Sequence, residues 1–380
     1  MIHVVVVDDS RFVCQLMAEH ILSAPDLEVV GQAHSGREAL EVIKQMRPQV
    51  VILDVEMPEM GGLETLARIM RECPVPVILM SAVSNRSAHA TLEGINLGAV
   101  DFILKYTPGV DTDPNVLGSE ITSKLRLAAN VKVFRSTQHE RTRKVKPFNA
   151  RSVATKFRLN ENKRHETAAR LARPPENAST RGHGPAVSGV VVIGASTGGP
   201  KALRDLLTSL PANFPLGILV VQHMPAFFTT VLADNLDRQI ALSVREAREG
   251  DAIGPGIVFV APGDNHLSVD SSGRVRLDKR PPIAGHRPSI DVTMKSVAQV
   301  YGARARAVLL TGMGSDGAIG LEAIRERGGR TYVQDSASCV INGMPQRAIE
   351  KGVVHHIAPP SVIADLLRLD CAQTFLSTSR

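Results

Sequence analysis

Three residues with reactive side chains, Ser196, His223 and Asp316, each follow an apolar run short enough for a buried strand. A hydroxyl nucleophile, an imidazole base and a carboxylate that orients the base are the groups that acyl transfer requires. Each also has a plainer interpretation. The serine turn fits a simple glycine-rich connection, the histidine a capping or packing role, and the aspartate a cap on the following helix.

The serine lies in the stretch Val190–Pro200, which reads VVVIGASTGGP and predicts strand, tight turn and helix. Pro200 fits the first turn of that helix, where its missing N–H costs nothing. The free N–H groups of the helix favour negative charge beside Ser196. Backbone N–H groups near Thr197 and Met313 are candidates for an oxyanion hole.

Residues 194–198 also fit the G-x-S-x-G nucleophile elbow. In the hydrolases that carry this elbow the acid precedes the histidine, whereas here His223 precedes Asp316. A dinucleotide site is disfavoured because G-x-G-x-x-G is absent, and the Lys-Ser/Thr of a phosphate-binding P-loop is absent as well. The order Ser, His, Asp therefore points to a different esterase architecture.

A second set of polar residues lies near the N-terminus, also at the ends of predicted strands: Asp8, Asp9, Asp54, Ser81 and Lys105. Three neighbouring carboxylates would repel one another without a cation, and Mg²⁺ prefers oxygen ligands of this kind. Asp54 could accept a phosphoryl group, while Lys105 neutralises its charge and the Ser81 hydroxyl binds one of its oxygens. A solvated turn is the plain alternative for each residue alone.

Five predicted strands in five βα units position these groups: 4–7, 27–33, 49–53, 76–80 and 100–104. This order indicates an α/β domain with a five-stranded, doubly wound parallel sheet, whose ligands lie at the carboxyl ends of the strands. The C-terminal half predicts a second, Rossmann-like doubly wound sheet that is mostly parallel. A short antiparallel hairpin over 267–277 interrupts it.

Composition restricts the function further. Aromatic residues make up 3%, which disfavours stacking on nucleic-acid bases. The four dispersed cysteines predict neither disulfides nor a zinc site and fit a cytoplasmic protein. We expect neither a signal peptide nor a membrane span, because no run approaches about 18 apolar residues. The net charge of +6 is concentrated between Arg135 and Pro185, where 13 basic residues face 4 acidic ones, as in a mobile basic linker.

Residues 1–128 resemble the receiver domain of response regulators, through VVDDS around Asp8 and Asp9, LDVEMP around Asp54, MSA around Ser81 and DFILK ending at Lys105. The resemblance implies that Asp54 is phosphorylated, that Asp8, Asp9 and Asp54 hold Mg²⁺, and that Ser81, Phe102 and Lys105 form the switch. One departure is Tyr106, which stands where receivers usually have proline.

Residues 188–370 resemble the catalytic domain of chemotaxis protein-glutamate methylesterases. The motifs are GASTGGP around Ser196, VQHMP around His223, VAPGDNH over 260–266, GHRPSID over 285–291 and LTGMGSDG around Asp316. The resemblance implies Ser196 as nucleophile, His223 as base and Asp316 as its partner, with Thr197 and Met313 assisting. It also implies hydrolysis of glutamyl methyl esters on chemoreceptors, deamidation of their glutamines, and an unphosphorylated receiver that covers the site.

We therefore predict a receiver domain (1–128), a basic linker (129–187), a catalytic domain (188–372) and a tail (373–380). The expected partners are methyl-accepting chemoreceptors as substrate and a chemotaxis histidine kinase as phosphodonor. We expect no DNA, no insertion into the membrane, and no cofactor for the esterase chemistry. Two alternatives remain open: a receiver-controlled binding protein that uses the basic linker, and a transcription factor, although no helix-turn-helix pattern is visible.

Overall fold

The computed structural model describes residues 1–105, 114–131 and 189–378. These residues all belong to one compact unit. Tyr106 and nearly all of the predicted linker lie outside the described residues. Among the described helices, none is both long and apolar enough to cross a bilayer.

The N-terminal domain is a parallel sheet flanked by helices, in the strand order β2-β1-β3-β4-β5. Its strands are β1 (Ile2–Val7), β2 (Leu27–Ala33), β3 (Val50–Asp54), β4 (Val77–Ser81) and β5 (Asp101–Leu104). Its helices are α1 (Arg11–Leu22), α2 (Gly36–Met46), α3 (Gly62–Glu72), α4 (Asn85–Leu97) and α5 (Pro114–Ala128). The predicted five-stranded doubly wound fold is confirmed.

Buried strands and capped amphipathic helices explain this local structure. All five residues of β3 and of β4 are buried, as expected of central parallel strands covered on both faces. Ser35 caps α2 by accepting a hydrogen bond from the Glu38 N–H at 3.3 Å. These features place Asp8, Asp54 and Ser81 at one edge of the sheet.

The C-terminal domain has a seven-stranded parallel sheet in the order β14-β13-β12-β6-β7-β9-β8 and an antiparallel hairpin β10-β11. Its strands are β6 (Val190–Ala195), β7 (Gly217–Gln222), β8 (Ser243–Glu246), β9 (Ile257–Val260), β10 (His266–Val269), β11 (Val275–Asp278), β12 (Ala305–Leu309), β13 (Arg330–Gln334) and β14 (His356–Ala358). Its helices are α6 (Gly199–Leu207), α7 (Phe228–Gln239), α8 (Ile290–Tyr301), α9 (Ala318–Glu326), α10 (Gly343–Glu350) and α11 (Pro360–Thr378), with one 3₁₀ turn at Gly302–Arg304. The predicted mostly parallel sheet with a hairpin is confirmed, and α11 continues past residue 372, where the tail was predicted to begin.

The strand order reverses at β6, which pairs with β12 on one side and β7 on the other. Binding sites in doubly wound sheets lie at such a reversal, outside the carboxyl ends of the strands. Ser196 follows β6, His223 follows β7, and the loop that carries Asp316 follows β12. Pro200 lies in the first turn of α6, as predicted.

The two domains pack against each other through the α4 and β5 side of the receiver-like domain. Helix α4 contacts α6 and α7, and one apolar cluster continues from Leu92 to Leu203 and Phe228. The ring of Phe102 stacks on that of Phe228 with centroids 4.7 Å apart. Arg204 also donates a hydrogen bond to the side chain of Asn96.

Candidate functional site

The backbone of the turn at Ser196 is held by hydrogen bonds to Thr311, which follows β12, and to Gln222 at the end of β7. The Ser196 N–H donates to the carbonyl of Thr311 at 3.0 Å. The side-chain amide of Gln222 donates to the carbonyls of Ser196 at 2.9 Å and of His223 at 3.1 Å. A Cβ on Gly312 would lie 2.6 Å from the Cβ of Ser196, so only glycine allows the two loops to approach this closely. The serine is therefore fixed next to His223.

His223 is held at its backbone and at one ring nitrogen. Its N–H donates to the carbonyl of Ala195 at 3.0 Å, one residue before Ser196. Its Nε2 lies 2.8 Å from Oδ2 of Asp316, and this hydrogen bond assigns the ring proton to Nε2. Its Nδ1 is buried and has no hydrogen-bond partner among the residues that the structure describes. Nδ1 is thus the nitrogen left to accept a proton.

Asp316 is buried and fully engaged. Its carboxylate accepts from five donors: Nε2 of His223, Oγ of Ser289, and the N–H groups of Ile290, Asp291 and Gly317, at 2.8–3.1 Å. Burial alone would raise the pKa of Asp316, but the hydrogen bonds and the charge of His223 outweigh burial and hold the pKa at about 2. Asp316 also caps a helix, but this helix is α8, which precedes it in the chain and whose first N–H groups it binds, and not the following helix of the predicted alternative.

A second histidine, His286, lies against His223. The two rings stack with centroids 3.9 Å apart and planes within 9°. Burial, and then the charge of His223, lower the pKa of His286 to about 4. His286 belongs to the motif GHRPSID at 285–291, from which no role for it was predicted.

Thr197 and Met313, the predicted assisting residues, both line a cavity of about 510 Å³ together with Ser196 and His223. Met313 is partly exposed, whereas Thr197 is buried. The Thr197 hydroxyl donates to Oδ2 of Asp101, a residue of β5, at 2.6 Å. A carboxylate of the N-terminal domain therefore binds the hydroxyl of a predicted assisting residue beside Ser196.

Asp101 is itself held by Lys124 of α5, whose ammonium lies 3.4 Å from the carboxylate and 2.9 Å from Glu120. Burial would lower the pKa of Lys124, but the charges of Asp101 and Glu120 outweigh burial and raise it. The lysine remains charged and also lies over the ring of Phe102, 5.4 Å from its centroid. The contact with Thr197 is thus part of a charged network rather than an isolated bond.

The second candidate site lies at the carboxyl ends of β1 and β3. Oxygens of Asp8, Asp9 and Asp54 approach within 4.8 Å of one another. The Lys105 ammonium lies 2.8 Å from Oδ2 of Asp8 and 2.7 Å from Oδ2 of Asp54. Two buried carboxylates and one exposed carboxylate make an all-oxygen set that fits a hard divalent cation.

Asp54 is less completely paired than Asp316. One backbone N–H, that of Glu56, reaches it at 3.2 Å in addition to Lys105. Burial raises the pKa of Asp54 to about 6, although Lys105 lowers it in part. At the neighbouring strand end, the Ser81 hydroxyl lies 2.8 Å from that of Thr91.

The structure brings together the two groups of residues that the sequence analysis singled out. Ser196, His223 and Asp316 lie together at the carboxyl end of the seven-stranded sheet. Asp8, Asp9 and Asp54 lie together with Lys105 at the carboxyl end of the five-stranded sheet. No hydrogen bond joins the Ser196 hydroxyl to His223 among the described residues. Sequence reasoning missed four contributors: Gln222, Asp101, His286 and Ser289. The stretch GHRPS at 285–289, between two predicted elements, was the available signal for two of them.

Two family models match the chain. The one described as CheB methylesterase matches residues 191–367, and the one described as response regulator receiver domain matches residues 4–111. A protein-glutamate methylesterase/protein-glutamine glutaminase from Symbiobacterium thermophilum is 40% identical over 96% of each chain. A second protein of that name from Pseudomonas aeruginosa is 41% identical over 98% of this chain and 97% of its own. The CheB methylesterase catalytic domain of Thermotoga maritima is 44% identical, with a TM-score of 0.47, covering 48% of this chain and 98% of that one.

Proposed function

The chain belongs to the family of protein-glutamate methylesterases/protein-glutamine glutaminases that carry a receiver domain, and we propose that it hydrolyses glutamyl methyl esters on chemoreceptors under phosphorylation control. Ser196 is the nucleophile, His223 the base and Asp316 the orienting acid. The observation that carries this proposal is the pair formed by His223 and Asp316 directly beside the Ser196 turn.

In the reaction, Ser196 Oγ attacks the ester carbonyl and its proton passes to His223 Nδ1. Nδ1 is the acceptor because Nε2 is bound to Asp316. The C–O bond of the ester then breaks, and methanol leaves with the proton from Nδ1. Water, deprotonated by the same nitrogen, hydrolyses the acyl-serine to glutamate and free serine. With a glutamine side chain the same steps release ammonia.

Asp316 keeps the histidine in the productive tautomer and stabilises its protonated form. With a pKa of about 2, the carboxylate stays ionised throughout the working pH range. The oxyanion that forms on the substrate is bound by donors near Thr197 and Met313, which line the same cavity.

The receiver domain controls access to this chemistry. Asp54 is the phosphoacceptor, and Asp8, Asp9 and Asp54 would hold a Mg²⁺ ion, whose charge would offset that of the phosphoryl group. Lys105 contributes a second positive charge and Ser81 a hydroxyl donor. A chemotaxis histidine kinase in the cytoplasm is the phosphodonor.

The docked arrangement is the resting form. The bond from the Thr197 hydroxyl to Asp101 engages a residue predicted to assist Ser196, and the stack of Phe102 on Phe228 holds the two domains together. Because Phe102 lies in β5, three residues before Lys105, a change at the phosphoacceptor reaches this contact over a short path. Phosphorylation releases the receiver and opens the cavity to a receptor helix.

The deciding experiment measures methanol release from methylated receptor by the full chain, with and without a small phosphodonor. Ser196→Ala should reduce turnover by roughly 10⁴-fold or more while leaving the fold unchanged. Ser243→Ala, which changes an exposed serine at the start of β8, is the matched control and should retain full activity. Appreciable methanol release by the Ser196 variant would refute the proposed nucleophile.

A further inference from the structure

His286 lies at the end of a tight turn that faces the candidate active site. Its N–H and carbonyl exchange hydrogen bonds with those of Ile283 at 2.9 and 3.0 Å. Buried His266 anchors the same loop, since its ring accepts from the Ser289 N–H at 3.2 Å and lies 3.1 Å from the carbonyl of Pro281. Hydrogen bonds within the loop and to His266 thus hold its conformation. The ring of His286 stacks on that of His223.

From this stack we infer that His286 is a positioning residue for the esterase reaction. Its ring fixes the plane of the His223 imidazole, so that Nε2 stays on Asp316 and Nδ1 stays on the proton-accepting side. The inference deepens the proposed function and rests on it for its kinetic consequences.

His223 needs such a support because, apart from the stack, only the hydrogen bond from Nε2 to Asp316 holds its ring among the described residues. The χ2 torsion of histidine is broad and roughly two-fold, so the ring rotates easily. The Nε2 bond to Asp316 fixes one point of the ring, while Nδ1 has no partner among the described residues. A flat partner 3.9 Å away removes the remaining rotation, which places Nδ1 for proton transfer from Ser196.

A neutral ring suits this role in both protonation states of His223. Burial lowers the pKa of His286, and the charges around it come from His223, Asp316 and Glu120 of α5, with Lys124 lining the same cavity. At neutral pH the ring of His286 therefore carries no charge. Its face can lie against the neutral imidazole and against the imidazolium formed during the reaction, whereas a second cation would repel the imidazolium.

The test compares His286→Ala and His286→Phe with Ile283→Ala, a matched change in the same turn that leaves the stack intact. With phosphodonor-activated full-length protein, the alanine variant should lose about 10- to 100-fold in kcat at nearly unchanged KM. The phenylalanine variant should recover most of this loss, since phenylalanine stacks but cannot carry a proton. Ile283→Ala should behave as the parent chain.

A second readout does not require esterase activity. In ¹⁵N-histidine NMR of the full chain, with His223 assigned by the loss of its signals in His223→Gln, the parent should show one tautomer. His286→Ala should show averaged tautomers, and His286→Phe a single one. If the alanine variant does not fold, His286→Leu, which has similar bulk but no ring, replaces it. This variant should also show averaged tautomers of His223.

Three results would overturn the inference: parent-like kcat in the alanine variant, equally low kcat in the phenylalanine variant with a displaced acid limb of the pH profile, or an unchanged tautomer without the ring. Failure of the proposed function looks different. The parent chain would then release no methanol, and the NMR comparison would still decide whether His286 orders the His223 ring.

Discussion

Asp54 and Asp316 are both buried aspartates at the carboxyl end of a parallel sheet, and each is paired with one basic side chain. Their pKa values nevertheless move in opposite directions. Burial raises the pKa of Asp54 to about 6, whereas that of Asp316 is held at about 2 against the effect of burial. Burial is thus not what distinguishes the two sites.

The difference lies in the donors that surround each carboxylate. Asp316 accepts from five groups, three of which are backbone N–H groups at the starts of α8 and α9. Asp54 has Lys105 and one backbone N–H, and it shares Lys105 with Asp8. A saturated carboxylate is stable as an anion, while an undersaturated one gains by binding a proton, a cation or a phosphoryl group.

The two sites use the aspartate side chain in different ways. Asp316 is suited to remain ionised and orient His223, and it has no lone pair to spare for chemistry. Asp54 is suited to react, because in the part of the chain that the structure describes only Lys105 and one backbone N–H reach its oxygens.

Asp316→Asn should lower methyl ester hydrolysis by roughly 10⁴-fold, because the asparagine amide no longer holds His223 in the productive tautomer. Phosphorylation of Asp54 should proceed at the parent rate in this variant. Turnover of methylated receptor and labelling from a radioactive phosphodonor measure the two effects. Esterase activity within ten-fold of the parent would show that Asp316 is only a cap for α8.

The pH dependence of stability should have opposite forms at the two aspartates. The folded pKa of Asp54 lies above the ordinary value of 3.8, so ionisation of Asp54 costs stability above pH 6 and costs nothing below pH 4. Asp54→Asn should therefore stabilise the metal-free protein by about 2 kcal/mol at pH 8, and this gain should fade as the pH drops toward 4.

Asp316 has a lowered folded pKa, so its contribution is complete above pH 4 and is lost only as the pH falls toward 2. Asp316→Asn should accordingly destabilise the fold by the same amount at pH 5 and at pH 8. Urea unfolding of both variants in EDTA-containing buffer at these two pH values provides the comparison. Parallel pH profiles for the two variants would contradict the assigned difference in pKa.

Most of the fold could be predicted from the sequence because apolar runs of four to six residues mark central parallel strands. The predicted strands 27–33 and 100–104 differ from β2 and β5 by at most one residue at either end. Strands β8, β13 and β14 were not predicted. They lie toward the edges of the sheet, where β8 alternates exposed and buried residues and β14 has only three residues.

The candidate site could be predicted in its reactive residues but not in their supports. Ser196, His223 and Asp316 stand out because each follows a strand of the same sheet. His286 arrives from a loop, and Asp101 from the other domain, so neither follows from local pattern or strand order. Contacts between distant segments depend on packing, which spacing along the chain does not encode.

Asp54→Asn should also abolish the response to phosphodonor, because it removes the carboxylate that accepts the phosphoryl group. Coupling between sites within a protein is typically 1–3 kcal/mol, so we expect the ratio of activated to resting esterase rates to fall from about ten to one. Glu64→Gln, on the exposed face of α3, is the matched control and should keep the full ratio. A variant that still responds to phosphodonor would place the phosphoacceptor elsewhere.

Asp101 lies between the two sites. A substitution of Asp101 shows whether its charge contributes to the control of the esterase by the receiver domain. The Thr197 hydroxyl donates to its carboxylate at 2.6 Å, and a charged acceptor strengthens such a bond by about 1 kcal/mol over a neutral one. Asp101→Asn keeps the shape and removes the charge, so the resting rate should rise about five-fold with little change in the activated rate.

A small soluble ester sharpens this last test, because the cavity of about 510 Å³ persists in the docked form and Ser196 lines it. If docking acts only by excluding a receptor helix, the small ester is hydrolysed equally with and without phosphodonor. If the carboxylate of Asp101 also keeps the Thr197 hydroxyl from assisting the reaction, resting hydrolysis of the small ester is slow and Asp101→Asn restores it. Asp365→Asn, an exposed change on α11, should alter neither rate. Equal small-ester rates in the resting parent and in the Asp101 variant would leave steric exclusion as the whole of the control.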